Sequence, residues 1–376
     1  MSDFFSYNMA NNWFEFQHSE EIDSPSLVIY KDRILHNIEL MIRIAGSPGR
    51  LVPHVKTHKM AEVVQMQLDA GIQRFKCATI AEAEMLAMTG APWILIAYQL
   101  TGPNLLRLQK LKLAFPAVTF SSLIDSIDTA RQLNELTMPE PYDVFIDINN
   151  GMNRSGHLTN DALFSLYQEI VSLPNLRLIG LHVYDGHIRD EDFMARKQAS
   201  DLAFEPVTDF CELLRQQGFE SPVIIAGGSP TFTVHAQRTG VLCSPGTCLL
   251  WDWGYGDRFL DQPFLHAAVL LTRVVSKPAP GIITVDLGHK AVAAENSIEK
   301  RFRFLNLNDY QVLSQSEEHG VIAVKNSDDL HIGDLLYAIP YHICPTVALH
   351  ENVTVVEDLT PTEKWEIVAR KRKITF

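Results

Sequence analysis

The sequence predicts an α/β protein: a (β/α)8 TIM-type barrel followed by a mainly antiparallel β-domain. Three observations predict it. Short apolar, β-rich runs alternate with amphipathic stretches from about Ser26 to Leu250. Eight such runs occur, each followed by a segment of helical character, which is the rhythm of a barrel. Beyond about Gln262 the texture changes to short runs of alternating polarity broken by turn residues, with no long helical pattern.

The strand candidates are residues 27–30, 51–55, 74–78, 93–97, 117–121, 143–148, 176–183 and 222–225. Between them lie helical patterns at 60–70, where Val63, Val64, Met66 and Leu68 are apolar, at 80–88 and at 190–217. An open doubly wound sheet carries the same alternation and is the competing architecture. The barrel is expected over residues 21–261. Residues 1–20 stand outside its rhythm and are grouped with 262–376 in the β-domain, where 267–276, 281–288 and 352–358 read as strands.

Composition narrows the function. The chain has 376 residues, long enough for two domains or one barrel with an addition. Its formal net charge of -13 argues against a nucleic-acid backbone as partner, because that needs a basic face. The longest apolar runs, 94–97 and 267–271, have strand length, so no membrane span is expected. The first residues carry acids and asparagines where a signal peptide needs a basic start and an apolar core. Five scattered cysteines (Cys77, Cys211, Cys243, Cys248, Cys344) suit reduced thiols, and a cytoplasmic location is expected.

Five segments carry candidate chemistry. Lys56 follows the second strand candidate, flanked by His54, His58 and Lys59. Strand C-terminal ends face the active site of a barrel, and a desolvated lysine among basic neighbours favours the neutral, nucleophilic amine. Gly227, Gly228 and Ser229 follow the last strand candidate, where close backbone approach and exposed N–H groups suit an anion such as a phosphate. Gly246 and Thr247 offer a second such turn. Arg154 lies between Gly151 and Gly156 after strand 143–148, and His182, Tyr184, Asp185 and His187 crowd the end of strand 176–183. In the β-domain, His342 and Cys344 stand two apart. On an extended segment they share a face, and imidazole with thiolate suits zinc with open positions. Each segment alone also fits a plain turn, a surface loop or a buried polar cluster.

In their order and spacing these segments resemble the fold-type III pyridoxal-phosphate enzymes, whose barrel is shared with alanine racemase. More closely they resemble the D-threonine aldolase and D-serine dehydratase branch. The likeness runs from Ser24 to about Thr354. It implies that Lys56 holds pyridoxal phosphate covalently beside His54, that Arg154 faces the phenolic oxygen, and that Tyr184 lies at the pyridine nitrogen. It also implies that Gly227, Gly228, Ser229, Gly246 and Thr247 cradle the phosphate. His342 and Cys344 are then the ligands of a divalent metal. Cys344 points to zinc and to the dehydratase side, since aldolases of the branch tend to carry an aspartate there. The implied substrate is a β-hydroxy D-amino acid of the D-serine or 3-hydroxy-D-aspartate type, giving a keto acid and ammonia. An aldolase giving glycine and an aldehyde, a racemase, and a cofactor-binding regulatory protein are the competing functions. The resemblance further implies a homodimer. Cys248, where relatives often carry an aromatic residue, and the segment 251–255 depart from the pattern.

Overall fold

A computed structural model describes residues 12–376. They divide into two compact units. One comprises Asn37–Cys248, Arg258–Pro263 and Val368–Phe376; the other comprises the described residues up to His36, Leu249–Asp257 and Phe264–Ile367. The first described strand is β1 (Ser26–Tyr30), followed directly by helix α1 (Lys31–Ala45). In α1 the buried residues Ile34, Ile38, Met41 and Ala45 recur at helical spacing and form one apolar stripe.

The larger unit contains strands β2 (Arg74–Cys77), β3 (Trp93–Gln99), β4 (Thr119–Ile124), β5 (Tyr142–Ile148), β6 (Leu176–Val183), β7 (Val223–Ala226) and β8 (Val241–Cys243). All seven pair in parallel, each with its sequence neighbour. Helices α2 (Ala61–Asp69), α3 (Ile80–Met88), α4 (Pro103–Ala114), α5 (Ile127–Asn134), α6 (Asp161–Val171), α7 (Phe193–Gln216) and the short α8 (Phe232–His235) connect them. Several start on side-chain caps. Thr79 accepts from the Glu82 N–H at α3, Ser126 from the Thr129 N–H at α5, and Asp192 from the Ala195 N–H at α7.

The seven-stranded sheet has no free edges. Residues 51–55 are extended between β8 and β2: Leu51 bridges Cys243 and His54 bridges Lys76, both in parallel. The Val52 N–H donates to the Cys243 carbonyl at 2.8 Å, and the Val55 N–H donates to the Lys76 carbonyl at 2.9 Å. This eighth strand closes a barrel and excludes the open doubly wound sheet. Val52, Leu95, Leu123, Phe145 and Ile225 pack together as its apolar filling.

Eight strands were expected and eight are found, but their membership shifts by one. The run 27–30 is β1, which belongs to the other unit; the last barrel strand is β8. The reason is physical. Four of the five residues of β1 are buried, so no alternation marks which sheet it enters. β8 has only three residues before the Ser244–Pro245 turn and is too short to be read as a strand.

The smaller unit contains β9 (Ala268–Ala279), β10 (Ile282–Val285), β11 (Phe302–Phe304), β12 (Tyr310–Gln315), β13 (Gly320–Val324), β14 (Leu335–Pro340), β15 (Asn352–Glu357) and β16 (Thr360–Glu366), joined by β1. The order is β12-β13-β10-β9-β1-β15-β16, with β14 also on β9 and β11 on β14. Only the β1–β15 pair is parallel. Phe14, Phe16, Val28, Tyr30, Val269, Leu271, Tyr337 and Ile339 form its core. Phe14 and Phe16 thus pack in this unit; the expectation for residues 1–11 lies outside the described residues. Two short helices, α9 (Trp253–Gly256) and α10 (Ile343–Val347), complete the unit.

Candidate active site

Lys56 leaves the closing strand at the C-terminal mouth of the barrel. It lines a cavity of about 570 Å³ together with His54, Arg154, Tyr184, Lys76 and His182. That volume lies within the range of small-ligand sites. Three cations gather around the Tyr184 ring. Lys56 Nζ is 5.8 Å from its centroid, Lys76 Nζ 5.5 Å and Arg154 Cζ 5.0 Å. The barrel brings them together because each stands at or just beyond a strand end, or in the loop that follows it.

His54 is buried, and its Nδ1 accepts the Lys56 N–H at 3.3 Å. Burial, and then the charges of Lys56 and Lys76, push its imidazole well below the usual value, so it is neutral. His182, on β6, is also buried. Its Nδ1 is 2.7 Å from Asp147 Oδ1 on β5, and its Nε2 is 3.4 Å from Lys76 Nζ on β2. Burial raises the Asp147 carboxyl, but hydrogen bonds from His182 and Ser155 and the charge of Arg154 leave it net lowered. The imidazole of His182 is lowered by burial and by Lys76. The arrangement fits a neutral ring that donates from Nδ1 to the carboxylate and accepts at Nε2.

The two glycine turns abut the same walls. Gly227 has φ +74, and a Cβ there would stand 2.5 Å from His235 Cδ2. A Cβ on Gly228 would stand 2.8 Å from Tyr184 Cε2, and one on Gly246 3.0 Å from the His54 carbonyl oxygen. The backbone N–H groups of Gly246 and Thr247 both donate to Ser229 Oγ, at 3.2 and 3.0 Å. Two N–H groups aimed at one buried oxygen, between turns with no room for a side chain, suit an anionic group such as a phosphate.

Under the first turn sits a buried network. Asp185 accepts from Thr231 Oγ1 at 2.6 Å and lies 2.8 Å from His235 Nε2. His235 Nδ1 faces Arg238 Nη1 at 2.7 Å. Arginine only donates, so Nδ1 accepts and Nε2 carries the proton toward Asp185.

His342 and Cys344 lie in the other unit. They do not share an extended segment as expected. His342 is extended, but it caps α10, and Cys344 sits in the first turn of that helix. The thiol of Cys344 nonetheless acts on the His342 imidazole and raises it. His342 Nδ1 is 2.6 Å from Glu295 Oε1. Burial lowers the imidazole, but Cys344, Asp252 and Glu295 outweigh it and raise the value to about 9. Glu295 on Nδ1 leaves Nε2 as the ligand nitrogen, a common arrangement behind metal-binding histidines. The donor set suits a divalent metal. Among the described residues, no third His, Cys, Asp or Glu ligand atom gathers tightly with this pair.

Of the sequence-predicted residues, the structure places Lys56, His54, Arg154 and Tyr184 on one cavity, with Gly227, Gly228, Ser229, Gly246 and Thr247 in the two adjoining turns. Lys76, Asp147, His235 and Glu295 were not singled out from the sequence. Lys76 did carry a signal: it is a lysine inside a strand whose following residues are apolar.

A closed parallel barrel with a lysine at its mouth and glycine turns suited to an anion beside it, followed by an antiparallel unit, is the architecture of the pyridoxal-phosphate enzymes of fold type III. The alanine racemase N-terminal domain family matches residues 29–252, and the chain belongs to that family. Residues 267–356 match the "Putative serine dehydratase domain". A D-threonine aldolase from Arthrobacter sp is 29% identical, covering 93% of each chain. A D-threo-3-hydroxyaspartate dehydratase from Delftia sp. (strain HT23) is 26% identical over 92% of this chain and 97% of its own. The crystal structure of D-threonine aldolase from Filomicrobium marinum superposes with a TM-score of 0.86 at 26% identity, covering 96% and 99%. The chain is therefore a pyridoxal-phosphate-dependent lyase of the D-threonine aldolase and D-serine dehydratase-like branch. No helix among the described residues is long and apolar enough to cross a membrane.

Proposed function

We propose that this enzyme dehydrates a β-hydroxy D-amino acid of the D-serine or 3-hydroxy-D-aspartate type to a keto acid and ammonia, using pyridoxal phosphate and zinc. The observation that carries the reading is the meeting of Lys56, Arg154 and Tyr184 on one cavity, with anion-suited turns behind it. Lys56 is the residue that would hold the cofactor covalently. His54, Arg154 and Tyr184 would flank it, and Gly227, Gly228, Ser229, Gly246 and Thr247 would hold its phosphate. When bound, pyridoxal phosphate supplies an electron sink for the bond broken at the α-carbon. The Lys56 amine, at the cavity mouth, would be the general base that takes the Cα proton. His342 and Cys344 would hold the metal, whose chemistry there is Lewis-acid polarisation of the β-hydroxyl as a leaving group. A thiolate ligand favours zinc over a harder ion. The working form is a homodimer.

The second reading is aldol cleavage to glycine and an aldehyde, favoured by the likeness to the Arthrobacter D-threonine aldolase. Both reactions start from the same bound state. The test is to incubate holoenzyme with D-serine, D-threonine and D-3-hydroxyaspartate, and with their L-forms, assaying keto acid, glycine and inverted amino acid. Keto acid from a D-substrate supports dehydration. Glycine without keto acid replaces it with the aldolase, and inversion alone replaces both. A Lys56→Ala variant that retained full turnover and its visible absorbance would refute the assignment of Lys56.

A further inference from the structure

Lys76 has no role in the reading above. It is 2% exposed, yet it lines the same cavity as Lys56. Fully buried lysines are rare and usually paired with a carboxylate. The ammonium of Lys76 has two neutral partners instead. Nζ donates to Ser244 Oγ at 2.5 Å and lies 3.4 Å from His182 Nε2. Ser244 in turn donates to the Gly227 carbonyl at 2.8 Å, and His182 is anchored on Asp147. Lys76 is thus fixed from β6 and from the turn after β8, with its charge directed beside Tyr184 and Lys56. Its direct partners are neutral, and the carboxylates of Asp147 and Asp185 act on it only at a distance, against the like charges of Lys56 and Arg154.

We propose that Lys76 is a further cofactor-contacting residue, a buried amine presented by Ser244 and His182 that sets the electric field on the bound chromophore beside Tyr184. This rests on the cavity being the cofactor site. The groups facing Lys76 are Lys56 from the closing strand, His54 before it, His182 on β6, Asp147 on β5, Arg154 after β5 and Asp185 after β6. Burial, then the charge of Lys56, lower its amine to about 7, against the pull of Asp147. Its charge therefore changes in the neutral range. The cofactor's visible absorbance follows, because a charge a few ångströms from a chromophore alters its protonation equilibrium.

The test is a pH titration of the visible absorbance of holoenzyme, for wild type, Lys76→Met, Lys76→Arg and Ser244→Ala. Wild type shows a step in the neutral range that K76M lacks. K76M also moves the remaining transition upward by about one pH unit, because a nearby positive charge no longer opposes protonation. K76R keeps a fixed charge, shows no neutral step and leaves that transition at its low-pH position. S244A removes an acceptor from the charged amine, so the step moves to lower pH; this arm decides the matter if K76M does not fold. Superimposable titrations of K76M and wild type, or of S244A and wild type, would overturn the proposal. Wild-type protein with no borohydride-sensitive visible band would instead overturn the cofactor reading itself.

Discussion

The buried network beneath the Gly227–Gly228 turn gives the sharpest stability prediction. In Asp185→Ala, the Thr231 hydroxyl and the His235 Nε2–H both lose their acceptor in a region closed to water. Each buried orphan donor costs about 1–3 kcal/mol, so the variant should lose about 2–6 kcal/mol. Asp185→Asn keeps the shape and one acceptor oxygen and should lose about half as much. The Asp185 carboxyl is raised by burial, but His235 and Thr231 outweigh that and hold it below the usual range. A depressed carboxyl contributes stability above its unfolded pKa and loses it as pH falls through the folded value. The gap between wild type and D185A should therefore narrow below about pH 4. Urea unfolding of the apoprotein at pH 7 and in acid measures both effects. The turn rests on His235, so cofactor affinity should fall in parallel. A D185A protein within 1 kcal/mol of wild type, or an Asn variant worse than the Ala variant, would refute the reasoning.

Three further outcomes are expected. Gly228→Ala places a methyl 2.8 Å from the Tyr184 ring and should weaken pyridoxal-phosphate binding about tenfold, read by absorbance titration; unchanged affinity contradicts the placement of that turn. Glu295→Gln removes the carboxylate behind His342 and should lower zinc affinity about 10–100-fold in a chelator competition, with Cys344→Ala losing more. His58 is fully buried; burial lowers it to about 3, and its Nε2 has no partner among the described residues. The unfolded state therefore binds one more proton between about pH 3 and 6.5, and stability rises with pH across that window. His58→Gln should flatten the acid limb by up to about 1.4 kcal/mol per pH unit; a slope as steep as wild type would contradict it.

What the sequence could disclose followed from how each residue is placed. The strand rhythm is legible because each apolar run ends at the barrel mouth, where the cavity-lining residues Lys56, Arg154 and Tyr184 follow. β1 shows no alternation because four of its five residues are buried, and the three residues of β8 carry no period. The His342 and Cys344 spacing was read as strand geometry, although a helix begins between them; adjacency survived, the backbone did not. Glu295 and His235 were invisible because their roles depend on partners far away in sequence. Lys76 was visible as a charge inside a strand, but nothing local told whether it faced out or into the barrel.

The strand that closes the barrel is also the one that leads into Lys56. It takes its hydrogen bonds from both β2, its near neighbour, and β8, at the far end of the unit. The position of Lys56 therefore depends on contacts made with residues nearly two hundred positions further along the chain, so an opening of the β8 seam would also unseat the lysine at the mouth.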